Sequence, residues 1–146
     1  MQNDQINELD DKNVNKESYL KMYICILDEF PDYMTPTLVA HATLGAHIEF
    51  SKIKTDSNLY EDWLTNSYKK VVVRVNQGLY DKIKLIENEF TKDYPIIERG
   101  ESTTLNGKKS CLILLARHSD IPKPLKKARL WKPKTWIYKN SINVYL

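Results

Sequence analysis

The chain has 146 residues, a formal net charge of +3 and an apolar share of 42%. That length suits one domain with a core large enough to hold without staples, and the composition is that of an ordinary globular chain. No apolar run is long enough to cross a membrane, the start is polar and acidic with no secretion or transit pattern, and the two cysteines have no metal-type spacing.

Residues 1–18 carry five acids (Asp4, Glu8, Asp10, Asp11, Glu17) against two lysines and show no period, which reads as a disordered acidic arm. Residues 19–146 read as a single α/β domain. Its first element, 21–28 (KMYICILD), is almost continuously apolar, as in a central strand covered on both faces. Asp28 ends it, and a loop with Pro31 follows. From Thr35 to Lys54 the spacing predicts a helix with Thr35 as N-cap and Pro36 at its first position. Val39, Ala42, Ala46, Phe50 and Ile53 form its apolar stripe, and small residues (Ala40, Gly45) let its backbone lie close to a sheet.

A short helix is expected around 58–66, with Trp63 as an anchor. Residues 69–75 (KKVVVRV) form the next strand. Asn76 caps a helix whose apolar positions are Leu79, Ile83, Ile86 and Phe90. Between Asp93 and Arg99, Pro95 points to a short strand near an edge. Asn106-Gly107 is a hairpin-turn signal, and 110–116 (SCLILLA) is a buried strand. A short helix fits 123–130, and Trp136, Tyr138 and Val144 suggest an edge strand in 135–146. Cys25 and Cys111 sit inside strand runs, so buried, reduced thiols in a cytoplasmic protein are expected. Alternating strands and helices argue for an α/β sandwich with a mixed sheet. Its ligand mouth should lie at the carboxyl end of the first strand, from Asp28 to His41.

Residues 117–139 hold eight bases (Arg117, Lys123, Lys126, Lys127, Arg129, Lys132, Lys134, Lys139) against one acid, Asp120. Trp131 and Trp136 are interleaved with them. Lysine and arginine neutralise phosphates and exposed aromatics stack on bases, so this segment reads as an RNA-facing surface. The three histidines, His41, His47 and His118, have no ligand spacing, and neither a metal nor a cofactor is expected.

The order of elements, together with His41-Ala42-Thr43-Leu44-Gly45-Ala46 and Lys69-Lys70-Val71-Val72-Val73, resembles the type II peptidyl-tRNA hydrolase family of archaea and eukaryotes. The matching motifs there are HAALGA and a KKVVL-type strand. The resemblance covers residues 20–131, and Pro124 to Lys132 (PLKKARLWK) is similar to the family's divergent hydrolase-domain branch. It implies a three-layer α/β/α sandwich with a small mixed four-stranded β-sheet. It also implies hydrolysis of the ester between a peptide and the 3′ end of tRNA, with tRNA or another RNA as partner, and it leaves room for a homodimer.

The family's proposed site uses a lysine, a glutamine, an aspartate and a threonine. Aligned through HATLGA, the lysine position falls on Met34 and the glutamine position on Leu38; a slip of about one turn puts His41 at the latter. The aspartate position falls on or near Arg99, beside Glu98, and the threonine is matched by Thr103, with Thr104 adjacent. Ester hydrolysis needs an activated water and a stabilised oxyanion. The candidate catalytic set is therefore His41, Asp28, Thr103 and Glu98, since histidine suits a general base near neutrality. The nucleic-acid set is Arg99, Arg117, Lys123, Lys126, Lys127, Arg129, Lys132 and Trp131. The unmatched lysine, glutamine and aspartate equally favour a relative that keeps the fold and binds RNA, a nucleotide or a protein without catalysis.

Overall fold

A computed structural model of the chain describes residues 19–86, 94–101 and 105–134. Its strands are β1 (Leu20–Leu27), β2 (Lys69–Val75), β3 (Ile97–Glu101), β4 (Lys108–Arg117) and β5 (Arg129–Leu130). They form one mixed sheet in the order β3-β4-β1-β2-β5. Every residue of β1 except Lys21 is buried, as the apolar run requires of a central strand. β1 pairs in parallel with β2, with Cys25 opposite Val73, and antiparallel with β4, with Ile24 opposite Ile113.

The sheet has five strands, not the expected four. The helix expected over 123–130 stops at Lys126, and Arg129 and Leu130 then pair with Arg74 and Val73. The Trp131 amide continues the pairing by donating to the Val72 carbonyl (2.9 Å). The physical reason is the free edge of β2, whose backbone groups need partners. β3 lies at the opposite edge and begins after Pro95, as that proline suggests. Asn106 (φ 52°) and Gly107 (φ 76°) make the turn before β4, where the Lys108 amide donates to the Leu105 carbonyl (2.9 Å). The strand expected over 135–146 and the position of Phe90 lie outside the described residues.

The helices are α1 (Thr35–Ser51), α2 (Leu59–Asp62), α3 (Gln77–Lys84) and α4 (Lys123–Lys126). α1 starts at Thr35, but a 3-10 turn (Asp32–Met34) runs straight into it, so the expected N-cap role of Thr35 is not realised. Thr35 is therefore a buried helical residue and makes no side-chain cap. α1 ends at Ser51 and buries Leu38, Ala42, Gly45, Ala46 and Phe50. Asn76 does cap α3, accepting from the Leu79 amide (2.8 Å). α2 leads into a π-helical turn (Trp63–Ser67), where Trp63 is 1% exposed and its Nε1 donates to the Lys69 carbonyl (2.7 Å). Burying a side chain of this kind stabilises the fold by about 1.5–3 kcal/mol. Cys25 and Cys111 are buried and free; burial, chiefly, pushes their thiols up to about 12 and about 11. Among the described residues no helix is long and apolar enough to cross a membrane.

The two faces of the sheet carry different helices. Cys111 reaches the Leu38 carbonyl on α1 (3.8 Å), whereas Tyr80 on α3 donates to Glu98 (2.7 Å). Strand alternation puts Cys111 and Arg99, which are paired in register, on the α1 face, and Glu98 on the α3 face. A bulge lies between Arg99 and Gly100, where β4 carries the extra residue, Ser110. Gly100 is obligatory at this point. A Cβ there would lie 2.6 Å from the carbonyl oxygens of both Gly107 and Lys108, and neither backbone can move aside cheaply. We therefore expect Gly100→Ala to lower stability by about 1–3 kcal/mol, as overpacking does. Thermal and urea unfolding of the variant check this; an unchanged midpoint would contradict the packing.

Candidate functional site

The carboxyl end of β1 is built from two charged groups of residues. On the β2 side, Arg74 projects from the strand end with only 17% of its side chain exposed. Its Nη1 donates to Asp28 (2.8 Å) and Asp32 (3.0 Å), and its Nη2 donates to the Lys132 carbonyl (2.6 Å). Lys134 closes the network: its amide donates to Asp32 (2.6 Å) and its Nζ lies 3.1 Å from Asp28. The Trp131 ring lies under the guanidinium at 4.9 Å. Burial opposes ionisation of Asp28, but hydrogen bonds from Arg74 and Lys134 outweigh it and hold the carboxyl below its usual range. Asp32 is held low chiefly by the Arg74 hydrogen bond. Asp28, expected as a site residue, is thus an acceptor in a clamp that fastens residues 131–134 to the sheet.

On the β3 side, His41 is half exposed on α1, and its Nε2 lies 3.9 Å from Oε1 of Glu101. Glu101 is 4% exposed, and its second oxygen accepts from the Leu105 amide (3.3 Å). A buried carboxylate behind a solvent-facing imidazole is the arrangement that orients a histidine base. Glu101 was not among the residues singled out from sequence. Lys108 borders this group, paired with Glu29 (2.5 Å) over the Phe30 ring.

Of the other expected catalytic residues, Glu98 does not join His41. Glu98 sits on the α3 face, bound by Tyr80 (2.7 Å) and Lys84 (3.0 Å). Burial opposes its ionisation, but these two donors outweigh it and hold the carboxyl low. Thr103 lies outside the described residues. Arg99 does not pair with its neighbour Glu98, because consecutive strand residues face opposite ways. It lies across Gly45, donating to the Gly45 carbonyl (3.2 Å) and to Glu49 (3.1 Å), and its Nε is buried without a partner among the described residues. A Cβ at position 45 would collide with this side chain, so Arg99 explains the glycine of HATLGA. Met34 and Leu38 are buried in the core.

Lys123, Lys126, Lys127, Arg129 and Lys132 are exposed, and none has an acidic partner among the described residues. Arg117 is 3.6 Å from Asp62. Trp131 is partly buried against the core, held by Arg74 rather than standing free among the lysines. A groove of about 510 Å³ runs beside this segment, where His118 Nδ1 meets the Tyr23 hydroxyl at 3.4 Å between Lys21 and Lys126. Among the described residues no group of three or more His, Cys, Asp or Glu side chains is placed to hold a metal ion. No protein-family model matches the chain, and no curated protein matches it.

The clamp makes acid stability predictable. A carboxylate whose folded pKa is lowered binds fewer protons folded than unfolded. Its contribution is therefore complete above its ordinary value of 3.8 and is lost as pH falls through the folded value. We expect Arg74→Met to cost about 1–3 kcal/mol at neutral pH, as for hydrogen bonds to charged groups. The gap from the parent should narrow as pH falls below 3.8. Urea unfolding across that range tests this, and a gap independent of pH would refute the ionic clamp.

Proposed function

We propose that this chain is a divergent peptidyl-tRNA hydrolase-like protein with that family's three-layer α/β/α sandwich. On this reading it engages tRNA through its basic C-terminal segment and hydrolyses the ester of peptidyl-tRNA or a related aminoacyl-nucleic acid. The observation that carries the reading is His41, presented to solvent by α1 and backed by the buried Glu101 at the carboxyl end of β1. His41 takes a proton from water as its oxygen attacks the ester carbonyl carbon. The carboxylate of Glu101 holds the imidazole in place and balances its positive charge. The ribose oxygen leaves with a proton returned by the same imidazole.

Helices on both faces of the sheet, and Lys126, Lys127, Arg129 and Lys132 without acidic partners among the described residues, support the fold and the partner in this reading. A binding-only relative is the second reading. It is favoured by Met34 and Leu38, which fill core positions where the resemblance expects a lysine and a glutamine.

Release of the blocked amino acid from a model peptidyl-tRNA separates the two. Catalysis by the dyad predicts that His41→Ala slows release by about 10²- to 10⁴-fold while tRNA binding is kept. Glu101→Gln should slow it by a smaller factor. Release no faster than in buffer, with tRNA still bound, would establish the binding-only protein. For binding itself, Lys126→Gln with Lys127→Gln should flatten the dependence of log Kd on log salt by about 0.7–0.9 per lost phosphate contact. Salt-insensitive tRNA binding would overturn both readings.

A further inference from the structure

A second cleft lies one helical turn from His41. It holds about 410 Å³ between α1 and the π-helical turn, and is lined by Leu44, His47, Tyr60, Trp63, Tyr68 and Lys70, with smaller residues between them. Lys70 is its one charged lining residue among the described residues. The floor is a row of rings: Tyr60 stacks on Trp63 (5.6 Å, 27°) and Trp63 on Tyr68 (5.4 Å, 29°). The row ends at the surface. Tyr68 is 60% exposed, and so is Leu44 across the cleft.

The backbone is shaped to present Tyr68. It follows the π-helical turn at φ 56°, a left-handed conformation that is costly for a residue this bulky. Its amide closes the turn on the Trp63 carbonyl (2.6 Å). Lys70 Nζ lies 3.3 Å from the Tyr68 ring centre and 5.1 Å from that of Trp63. Those distances are too short for Lys70 and Trp63 to sit on opposite faces of Tyr68. They share one face of that ring, and Tyr68 as a whole stays 60% exposed.

We propose that this cleft is the stacking site for an unpaired nucleobase of the RNA ligand, with Tyr68 as platform, Leu44 as opposing apolar wall and Lys70 as phosphate contact. An aromatic platform with an adjoining cation is how proteins hold single-stranded nucleic acid without reading its sequence. Tyr68 and Leu44 line the same cleft and each leaves 60% of its surface exposed in the free chain, whereas a base placed between them covers more of both. His41 and Leu44 are three residues apart on α1, so their side chains are neighbours, about 5–6 Å between Cβ atoms. A base in the cleft therefore lies beside His41, and an unpaired nucleotide at the end of the RNA would bring its ester to that imidazole. This inference rests on the RNA reading above and names the part of the ligand that the chain holds.

Binding of the full chain to a short single-stranded RNA oligonucleotide, followed by fluorescence anisotropy and by quenching of the Trp63 emission, tests it. Tyr68→Ala should weaken binding about 5- to 100-fold, the range for loss of one base–aromatic stack. Tyr68→Phe should restore it, and Lys70→Gln should weaken it a few-fold. A blunt duplex of the same sequence should bind parent and Tyr68→Ala alike. Thermal unfolding of each variant confirms that it is folded. If Tyr68→Ala and Lys70→Gln are folded and bind the oligonucleotide as the parent does, the cleft is not a stacking site, while salt-dependent tRNA binding through Lys126 and Lys127 would still stand. If the parent binds neither RNA, the proposed function fails together with the cleft.

Discussion

Arg74 leaves the end of β2 and meets two carboxylates, a main-chain carbonyl and an indole, and much of what surrounds the site depends on that meeting. β5 is only two residues long and cannot hold its segment to the sheet by pairing alone. The planar guanidinium offers five donors in a fixed fork, which suits it to bind Asp28, Asp32 and the Lys132 carbonyl together. A lysine at this position could supply the charge but not the fork. Because the guanidinium is mostly shielded from water, removing its acceptors would leave a poorly solvated charge. The clamp also arranges the surface. It neutralises Asp28 and Asp32 while Lys126, Lys127, Arg129 and Lys132 face solvent with no acidic partner among the described residues. A net charge of +3 thus becomes a locally positive face.

The other side of the mouth shows a different substitution of forces. Met34 and Leu38 are core residues, so the first turns of α1 are held by apolar packing rather than by polar contacts to a ligand. Arg99 spends its charge on Glu49 and on the Gly45 carbonyl, which pins α1 to β3. What remains at the carboxyl end of β1 is Glu101 behind His41. Alternation along β3 puts Glu101, two residues after Arg99, on the α1 face beside that imidazole.

These details separate what the sequence makes legible from what it does not. Strand β2, the Asn76 cap, the Asn106-Gly107 turn and the Trp63 anchor follow from local chemistry that any short window contains. The bulge does not, since the extra residue is defined only once β3 and β4 are paired. Glu101 reads as one more polar residue before a turn. Trp131 among lysines reads as a free aromatic, yet Arg74, far away in the chain, covers it. Tyr68 reads as linker because left-handed backbone is expected of glycine or asparagine, and nothing local announces it at a tyrosine. The fifth strand is hidden in the sequence for a related reason: two residues carry no periodicity, and only the open edge of β2 defines them.

Helix α1 brings these strands of argument together. A surface helix needs one apolar face, and α1 has it in Leu38, Ala42, Gly45, Ala46 and Phe50. Leu44 and Ile48 lie outside that face, 60% and 45% exposed, and contribute nothing to the core. Leaving large aliphatic side chains in water brings no stability to the free chain, so packing does not explain their place. A ligand does. Leu44 lines the same cleft as Tyr68, while His41 stands one turn away with Glu101 behind it. A flat, apolar base covers the first pair, and an ester attached beside that base meets the second. In that proposal one helix offers its buried face to the sheet and its outer edge to the end of a nucleic acid. On this reading, the exposed apolar residues beside the histidine belong to substrate recognition and the small residues opposite belong to the fold.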